Sequence, residues 1–168
     1  MSRSRLSVSA AAAALLILAV AAPAFGTPSV GVISAPIIAR GDFVERVDVK
    51  FKTRTAHGIV VSNAPDAGEV VVQEITIGPN GTTGWHSHPG PVVVVVKSGA
   101  LTFVEEEKGA CTQRTYVAGT AFVDPGQGHT HMAFNPSSSQ NLVLVATYFD
   151  VPVGASPRIE VVTVPAAC

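Results

Sequence analysis

Residues 84–99 have the sequence GWHSHPGPVVVVVKSG, and residues 119–135 have the sequence GTAFVDPGQGHTHMAFN. Each segment contains one His-x-His pair. Together the pairs hold four of the five histidines of the chain, namely His86, His88, His129 and His131. Residues two apart on a β-strand face the same side, about 6.6 Å apart. Two imidazoles at that spacing can tilt onto one metal ion, because metal–nitrogen bonds are about 2.0–2.1 Å long. The pairs therefore predict two strands whose histidines converge on one cation.

The rest of the chain is a succession of short β-type runs separated by Gly, Pro and Asn. Arg46 to Lys52 alternates apolar and polar residues, which is typical of a half-buried strand. Residues 78–84, GPNGTTG, are predicted to form a loop. Further strands are predicted at His57–Ser62, Glu69–Ile77, Trp85–His88, Val92–Lys97, Ala100–Glu105, Thr115–Ala118, Thr120–Asp124, Gly128–Phe134, Leu142–Phe149 and Arg158–Val164. This pattern indicates an all-β sandwich or jelly-roll barrel.

The first 26 residues are typical of a secretory signal peptide. Arg3 and Arg5 form a positive head, an apolar run covers residues 10–21, and small residues precede a cleavage site after Gly26. A retained membrane anchor is the alternative, but Pro23 and the small residues favour cleavage. We therefore predict a signal peptide over residues 1–26 and a protein that is secreted or held in the cell envelope, with no stable membrane span after cleavage.

The predicted mature chain begins with an N-terminal arm, residues 27–41, and continues as a single domain, residues 42–168. Cleavage takes the formal charge from −1 to −3 and leaves no basic stripe. Nucleic acid is therefore excluded as a partner, since phosphate binding needs such a stripe. The run Val92–Val96 is apolar on both faces, so it is either buried on both or packed against another chain. A homodimer through this strand is one hypothesis.

Two cysteines, Cys111 and Cys168, remain after cleavage. An even count in an exported protein predicts one disulfide, which here would pin the C-terminus to a loop. Two free thiols are the alternative. The run Glu105–Glu107 is predicted to be a solvated turn.

The two histidine segments resemble the two motifs of the cupin superfamily, and more closely those of small exported single-domain bacterial cupins of the type-2 kind. The matching residues are His86, His88 and Gly99 in the first motif, and Gly119, Pro125, His131 and Asn135 in the second. The resemblance covers roughly residues 69–150. It implies a double-stranded β-helix (jelly-roll) barrel with a metal ion held by the motif histidines.

The chain departs from the family motifs at three places. Val92 stands where the family has a glutamate ligand, and one extra residue separates Pro125 from His131. Asn80 stands where the first motif opens with glycine. The resemblance implies His86, His88 and His131 as metal ligands; His129 is either a fourth ligand or a group at the mouth of the site.

An imidazole-rich site without a carboxylate suits Zn, Fe, Cu or Ni. The alternative for the histidines is ordinary packing, but two pairs inside two matched motifs favour metal binding. Two functions follow. One is a metal-dependent oxygenase or isomerase acting on a small organic molecule, for which the sequence assigns no catalytic residue. The other is a non-catalytic module of the cell envelope that binds a small ligand or a metal.

Overall fold

The structure, a computed structural model, describes residues 27–55, 58–161 and 164–168. The predicted signal peptide, residues 1–26, lies outside the described residues, as does His57. Thirteen strands make up the regular structure of the described part: β1 (Val30–Ser34), β2 (Ile37–Gly41), β3 (Val49–Thr55), β4 (Gly58–Ala64), β5 (Glu69–Thr82), β6 (His86–Ser87), β7 (Val92–Ser98), β8 (Ala100–Glu107), β9 (Ala110–Val117), β10 (Ala121–Asp124), β11 (His131–Phe134), β12 (Leu142–Val151) and β13 (Ile159–Glu160). Within these ranges, no helix is long and apolar enough to cross a bilayer.

Eleven strands form one sheet that folds into two walls. The first wall has the strand order β10–β7–β12–β5, and the second contains β9, β8, β11, β6 and β13. The walls are joined where Phe134 of β11 pairs with Thr82 of β5. The space between them is filled by alternate apolar residues, because successive side chains of a strand point to opposite faces. This core contains Val71, Val92, Val94, Val96, Leu101, Phe103, Ala133, Leu144, Ala146 and Tyr148. The predicted all-β jelly-roll barrel is confirmed.

The strand β7 shows why a run of five valines suits this position. It pairs with β10 on one side and β12 on the other, so its backbone groups are bonded along both edges. Val94 and Val96 are buried in the core, whereas Val95, on the opposite face, is 41% exposed. The run is therefore buried on one face within the chain, and a homodimer through its other face stays a prediction.

Residues 27–41, predicted to be an arm outside the core, form the strands β1 and β2 along β5. Their side chains are mostly exposed, so they extend the sheet and add little to the core. Pairing to β5 required a partner strand that local sequence does not reveal.

The strands β3 and β4 form a separate hairpin that docks on the barrel. Ser62 on β4 donates a hydrogen bond to the carbonyl of Pro125, and Gln127 donates one to the carbonyl of Asn63. The hairpin is thereby held against the loop that precedes His129. The predicted disulfide, Cys111–Cys168, is present and ties the C-terminus to β9.

Several predicted strand boundaries differ from the structure. The strand β9 begins at Ala110, so Cys111 lies on a strand and not on the predicted loop, and two further differences lie beside the histidine pairs. The Gly- and Asn-rich segment 78–84 was expected to be a loop, but β5 continues through it to Thr82. Asn80 adopts a positive φ of 55°, and the register with β1 shifts around it, so the strand bulges and does not end. The strand of the second pair was predicted to begin at Gly128, but β11 begins three residues later, at His131, so His129 lies outside it.

Candidate metal centre

Three of the four paired histidines meet inside the barrel. His86 on β6 and His131 on β11 are direct partners across two antiparallel strands. His88 follows β6 by one residue, and the three ring centroids lie 4.4–5.1 Å apart. Each ring offers a nitrogen that lies within 4.8 Å of the other two. We call His86, His88 and His131 the three-histidine cluster.

Backbone carbonyls fix the orientation of two rings of the cluster. The carbonyl of Gly84 lies 2.8 Å from Nδ1 of His86, and the carbonyl of Pro157 lies 2.7 Å from Nδ1 of His88. A carbonyl can only accept, so Nδ1 of each ring carries the proton and Nε2 keeps its lone pair. Metal-binding histidines are commonly oriented by such a second hydrogen bond.

Burial keeps the cluster uncharged. The three rings are 4–6% exposed. Burial lowers the pKa of His86 and of His131 well below the usual value, and the neighbouring histidines lower both further. Burial also lowers the pKa of His88, although Asp124 opposes that shift. Neutral imidazoles are the form that binds metal ions.

Asp124, the last residue of β10, lies against the cluster and is 1% exposed. Its Oδ1 accepts a hydrogen bond from the backbone N–H of Gly126 and lies 3.1 Å from Nδ1 of His129. Its Oδ2 lies 3.4 Å from Nδ1 of His131 and 3.7 Å from Nε2 of His88, with no hydrogen bond to either. Among the described residues, the buried side-chain atoms without a hydrogen-bond partner are this Oδ2 and Nδ1 of His131.

His129 lies beside the cluster, not within it. Its Nδ1 faces Asp124, and its Nε2 lies 3.0 Å from Oε2 of Glu105. Burial alone would lower the pKa of His129, but hydrogen bonds to Asp124 and Glu105 outweigh it and raise this pKa to about 9. Near neutral pH both ring nitrogens therefore carry protons that point at carboxylates. With Asp124 and His131, His129 also forms a group whose ligand atoms lie within 4.8 Å of one another, and both roles considered for His129 stay predictions.

Comparison with known proteins adds a likeness to solved structures. No family model matches the sequence, and no curated protein matches it. Similar solved structures include a cupin domain from Bordetella pertussis Tohama I, with 24% identity and a TM-score of 0.46, covering 75% of this chain and 100% of that one. An oxalate oxidase in complex with glycolate has 26% identity and a TM-score of 0.42, covering 48% of this chain and 41% of its own. The polyketide cyclase RemF from Streptomyces resistomycificus has 21% identity and a TM-score of 0.45, covering 58% and 64%.

This chain spans less than two thirds of the length of the oxalate oxidase and of the polyketide cyclase. Its own strand order places both histidine motifs on facing strands inside one jelly-roll barrel, as the sequence resemblance implies. The chain folds as an all-β jelly-roll barrel.

Asn135, the last residue of the second histidine segment (residues 119–135), holds parts of the barrel together. Asn135 has no exposed surface, and its Nδ2 donates to the carbonyls of Ile77, Gly78 and Gln140. These bonds join the end of β11 to the bulge in β5. Asn135 is therefore a structural residue of the motif.

Two cavities lie on either side of a pair of aromatic rings in the barrel. The inner one, about 40 Å³, borders the three-histidine cluster, and the outer cleft, about 580 Å³, lies between the barrel and the β3–β4 hairpin. Phe103 and Phe122 line both, with ring centroids 5.1 Å apart. His129 and Glu105 line the outer cleft. A molecule in the cleft would thus be separated from the cluster by these two rings.

Sequence reasoning missed two carboxylates of this region. Glu105 was predicted to be part of a solvated turn, but it is 8% exposed and pairs with His129 and Arg114. It belongs to β8, where it lies directly across from His131. Asp124 was assigned no role, because nothing in the neighbouring sequence distinguishes it from an ordinary aspartate at the end of a strand. The available signal was its position next to Pro125 in the second motif.

Proposed function

We propose that this protein binds one divalent transition-metal ion inside its barrel through His86, His88 and His131. The observation that supports the proposal is the convergence of three buried, neutral imidazoles whose nitrogens lie within 4.8 Å of one another. The unpartnered buried atoms beside them also fit a cation, since buried polar groups are otherwise almost always hydrogen-bonded. Imidazole ligands suit Zn, Fe, Cu or Ni.

We further propose that the protein is an enzyme acting on a small organic molecule, by oxygenation or isomerisation. A bound ion would polarise a chelating substrate or, if it is Fe or Cu, exchange electrons with it. The cleft of about 580 Å³ supports this proposal by its size, since small-molecule sites commonly have volumes of roughly 300–1,000 Å³. Because the rings of Phe103 and Phe122 lie between the cleft and the cluster, we propose that these rings move aside to let a substrate reach the ion. Its walls combine the apolar rings of Tyr116 and Phe122 with the charged side chains of Arg54 and Glu106. Such walls would hold the apolar part of a substrate and orient a polar group.

A non-catalytic binding module is the second candidate, and the small inner cavity favours it. About 40 Å³ beside the cluster leaves room for an ion and roughly one water molecule. A site with so little space is closer to a closed structural or storage site than to an open catalytic one.

Metal analysis of protein purified without a His tag tests metal binding, which both candidate functions require. We expect about one equivalent of Zn, Fe, Cu or Ni per chain, and loss of the metal in His86→Ala and His131→Ala. His57→Ala is the matched control, because His57 belongs to neither pair, and it should retain the metal. Folded wild-type protein that binds none of these ions after reloading would overturn the proposal.

Oxygen uptake separates the enzyme from the module. The Fe- and Cu-loaded protein should consume oxygen, or convert its substrate without oxygen, on at least one member of a panel of small chelating acids and diketones. The product should disappear with His86→Ala. A Zn-loaded protein with all ligand positions filled, inert on the whole panel, would support the binding module.

We also propose that the protein is exported. The disulfide Cys111–Cys168 supports this, because such bonds persist mainly in oxidising compartments. N-terminal sequencing of protein secreted by a bacterial host should begin at Thr27. Recovery of the chain solely from the cytosol, beginning at Met1, would contradict export.

A further inference from the structure

We propose that Asp124 is a direct ligand of the metal ion, so that the centre has three histidines and one carboxylate. The inference rests on the proposed metal site and adds a residue to it. The carboxylate lies on β10. The glutamate ligand of the family motif would lie on β7, where this chain has Val92. Val92 and Asp124 are direct partners across these two antiparallel strands.

Distances between donor atoms support the assignment. Two donors about 2.0–2.2 Å from one ion lie roughly 3.0–3.5 Å from each other in octahedral or tetrahedral geometry. Oδ2 of Asp124 lies 3.4 Å from Nδ1 of His131 and 3.7 Å from Nε2 of His88. Asp124 also forms, with His129 and His131, a second group of ligand atoms that lie within 4.8 Å of one another, and His131 is common to this group and the three-histidine cluster.

The lack of another partner for Oδ2 is the second support. Asp124 is 1% exposed, and a buried carboxylate oxygen without a hydrogen bond carries a large desolvation cost. Nδ1 of His131 faces it, and that contact lacks hydrogen-bond geometry. A cation beside the two atoms would satisfy both.

The other oxygen of Asp124 is already held in place. Oδ1 is bonded to the N–H of Gly126 and to His129, and His129 is held in turn by Glu105. The carboxylate is therefore oriented with Oδ2 toward the cluster. Ligands that are fixed by such outer hydrogen bonds bind metal more tightly than mobile ones. His129 acts as a positioning residue in this arrangement.

A carboxylate ligand would lower the net charge of the buried metal centre. Three neutral imidazoles leave a divalent ion with its full charge of +2 in a buried site, and one carboxylate reduces the net charge of the centre to +1. Charge compensation favours a buried ion, because isolated charges are costly in a low-dielectric interior.

Metal affinity and the visible spectrum of the cobalt-loaded protein test the inference. Asp124→Asn keeps the size of the side chain and removes its charge, and we expect it to weaken Co²⁺ and Zn²⁺ binding by roughly 100-fold or more and to change the d–d bands. Glu69→Gln is the matched control, a buried carboxylate that pairs with Arg40 and lines neither cavity. It should change affinity by less than about tenfold and leave the bands unchanged.

The results distinguish a wrong metal site from a wrong role for Asp124. If wild-type protein binds no ion, the proposed metal site itself is wrong. If wild type binds and Asp124→Asn retains both its affinity and its bands, the site stands and the role of Asp124 is overturned. If Asp124→Asn does not fold, X-ray absorption on zinc-loaded wild type decides: three imidazoles and a carboxylate oxygen at about 2.0–2.2 Å support the inference, and four imidazoles overturn it.

Discussion

At the scale of single residues, the site places neutral and charged histidines side by side. The pKa values of His86 and His131 are lowered because burial disfavours their charged forms and the neighbouring histidines add to that effect. His129, two residues from His131, is protonated because Asp124 and Glu105 face its two nitrogens. Identical side chains thus acquire opposite charge states from their immediate neighbours.

The raised pKa of His129 predicts a pH-dependent stability of the metal-free protein. A folded-state pKa of about 9, above the unfolded value near 6.5, gives stability that is fully present below pH 6.5 and is lost as pH rises through 9. We expect His129→Ala to lower the free energy of unfolding by about 1–3 kcal/mol at pH 7, because two buried carboxylates lose a charged donor. The cost should be clearly smaller at pH 10.

Urea unfolding at both pH values measures this difference. Thr130→Ala is the control for the loop itself, since its hydroxyl makes one long bond to the carbonyl of Gly128. If His129→Ala lowers the free energy of unfolding equally at pH 7 and pH 10, the ring packs there without a positive charge.

At the scale of elements, the turn between β10 and β11 determines where Asp124 and His129 point. Gly126, Gln127 and Gly128 all have positive φ, and the N–H of His129 is bonded to the carbonyl of Gly126. This tight turn moves His129 out of strand geometry. The parity argument from the sequence therefore applies to the first histidine pair and fails for the second.

Two glycines of this turn permit a matched comparison. A Cβ on Gly126 would overlap the backbone carbonyl of Gly90, whereas a Cβ on Gly128 would meet nothing within 4 Å. Both substitutions to alanine carry the strain of positive φ, about 1–2 kcal/mol. Gly126→Ala should cost at least about 2 kcal/mol more than Gly128→Ala, because backbone must move.

Chemical denaturation of the two variants checks the prediction. Gly126→Ala should also weaken metal binding, because the N–H of Gly126 holds Oδ1 of Asp124. Equal free energies of unfolding for the two variants would mean that Gly90 and Gly126 are not in close contact.

At the scale of the whole molecule, both ends of the described part, which begins at Thr27, are fastened to the barrel. The N-terminal strands lie along β5, and the disulfide joins Cys168 to Cys111 across 57 residues. The segment between them includes β13, which pairs with β6, and the carbonyl of Pro157, which orients His88. The C-terminal segment thus covers the metal centre while the disulfide holds its end.

Removing the disulfide should destabilise the fold and leave the metal centre intact. Closure of a 57-residue loop contributes about 4 kcal/mol on the chain-entropy model. We expect the double variant Cys111→Ser, Cys168→Ser to lose about 2–4 kcal/mol in urea unfolding and to keep metal affinity within about threefold. Wild type treated with reductant should match the variant. A loss below about 1 kcal/mol would contradict the predicted role of the bond.

Much of the fold was readable from the sequence because strand periodicity and turn residues are local signals. The alternation in β3, the apolar run of β7 and the glycine turns required no knowledge of partners. The bulge at Asn80 was missed because its stability depends on pairing with β1 and on hydrogen bonds from Asn135. Such distant contacts leave no local signature.

The sequence alone determined that His86 and His88 share a face, because spacing along a strand fixes side-chain direction. The resemblance of the two histidine segments also predicted the barrel, and the two cysteines permitted one intramolecular bridge, with free thiols as the alternative. Only the tertiary structure decided which acids reach the histidines. Cross-strand register places Asp124 beside Val92 and Glu105 beside His131, and register is set by the whole sheet and not by neighbouring residues.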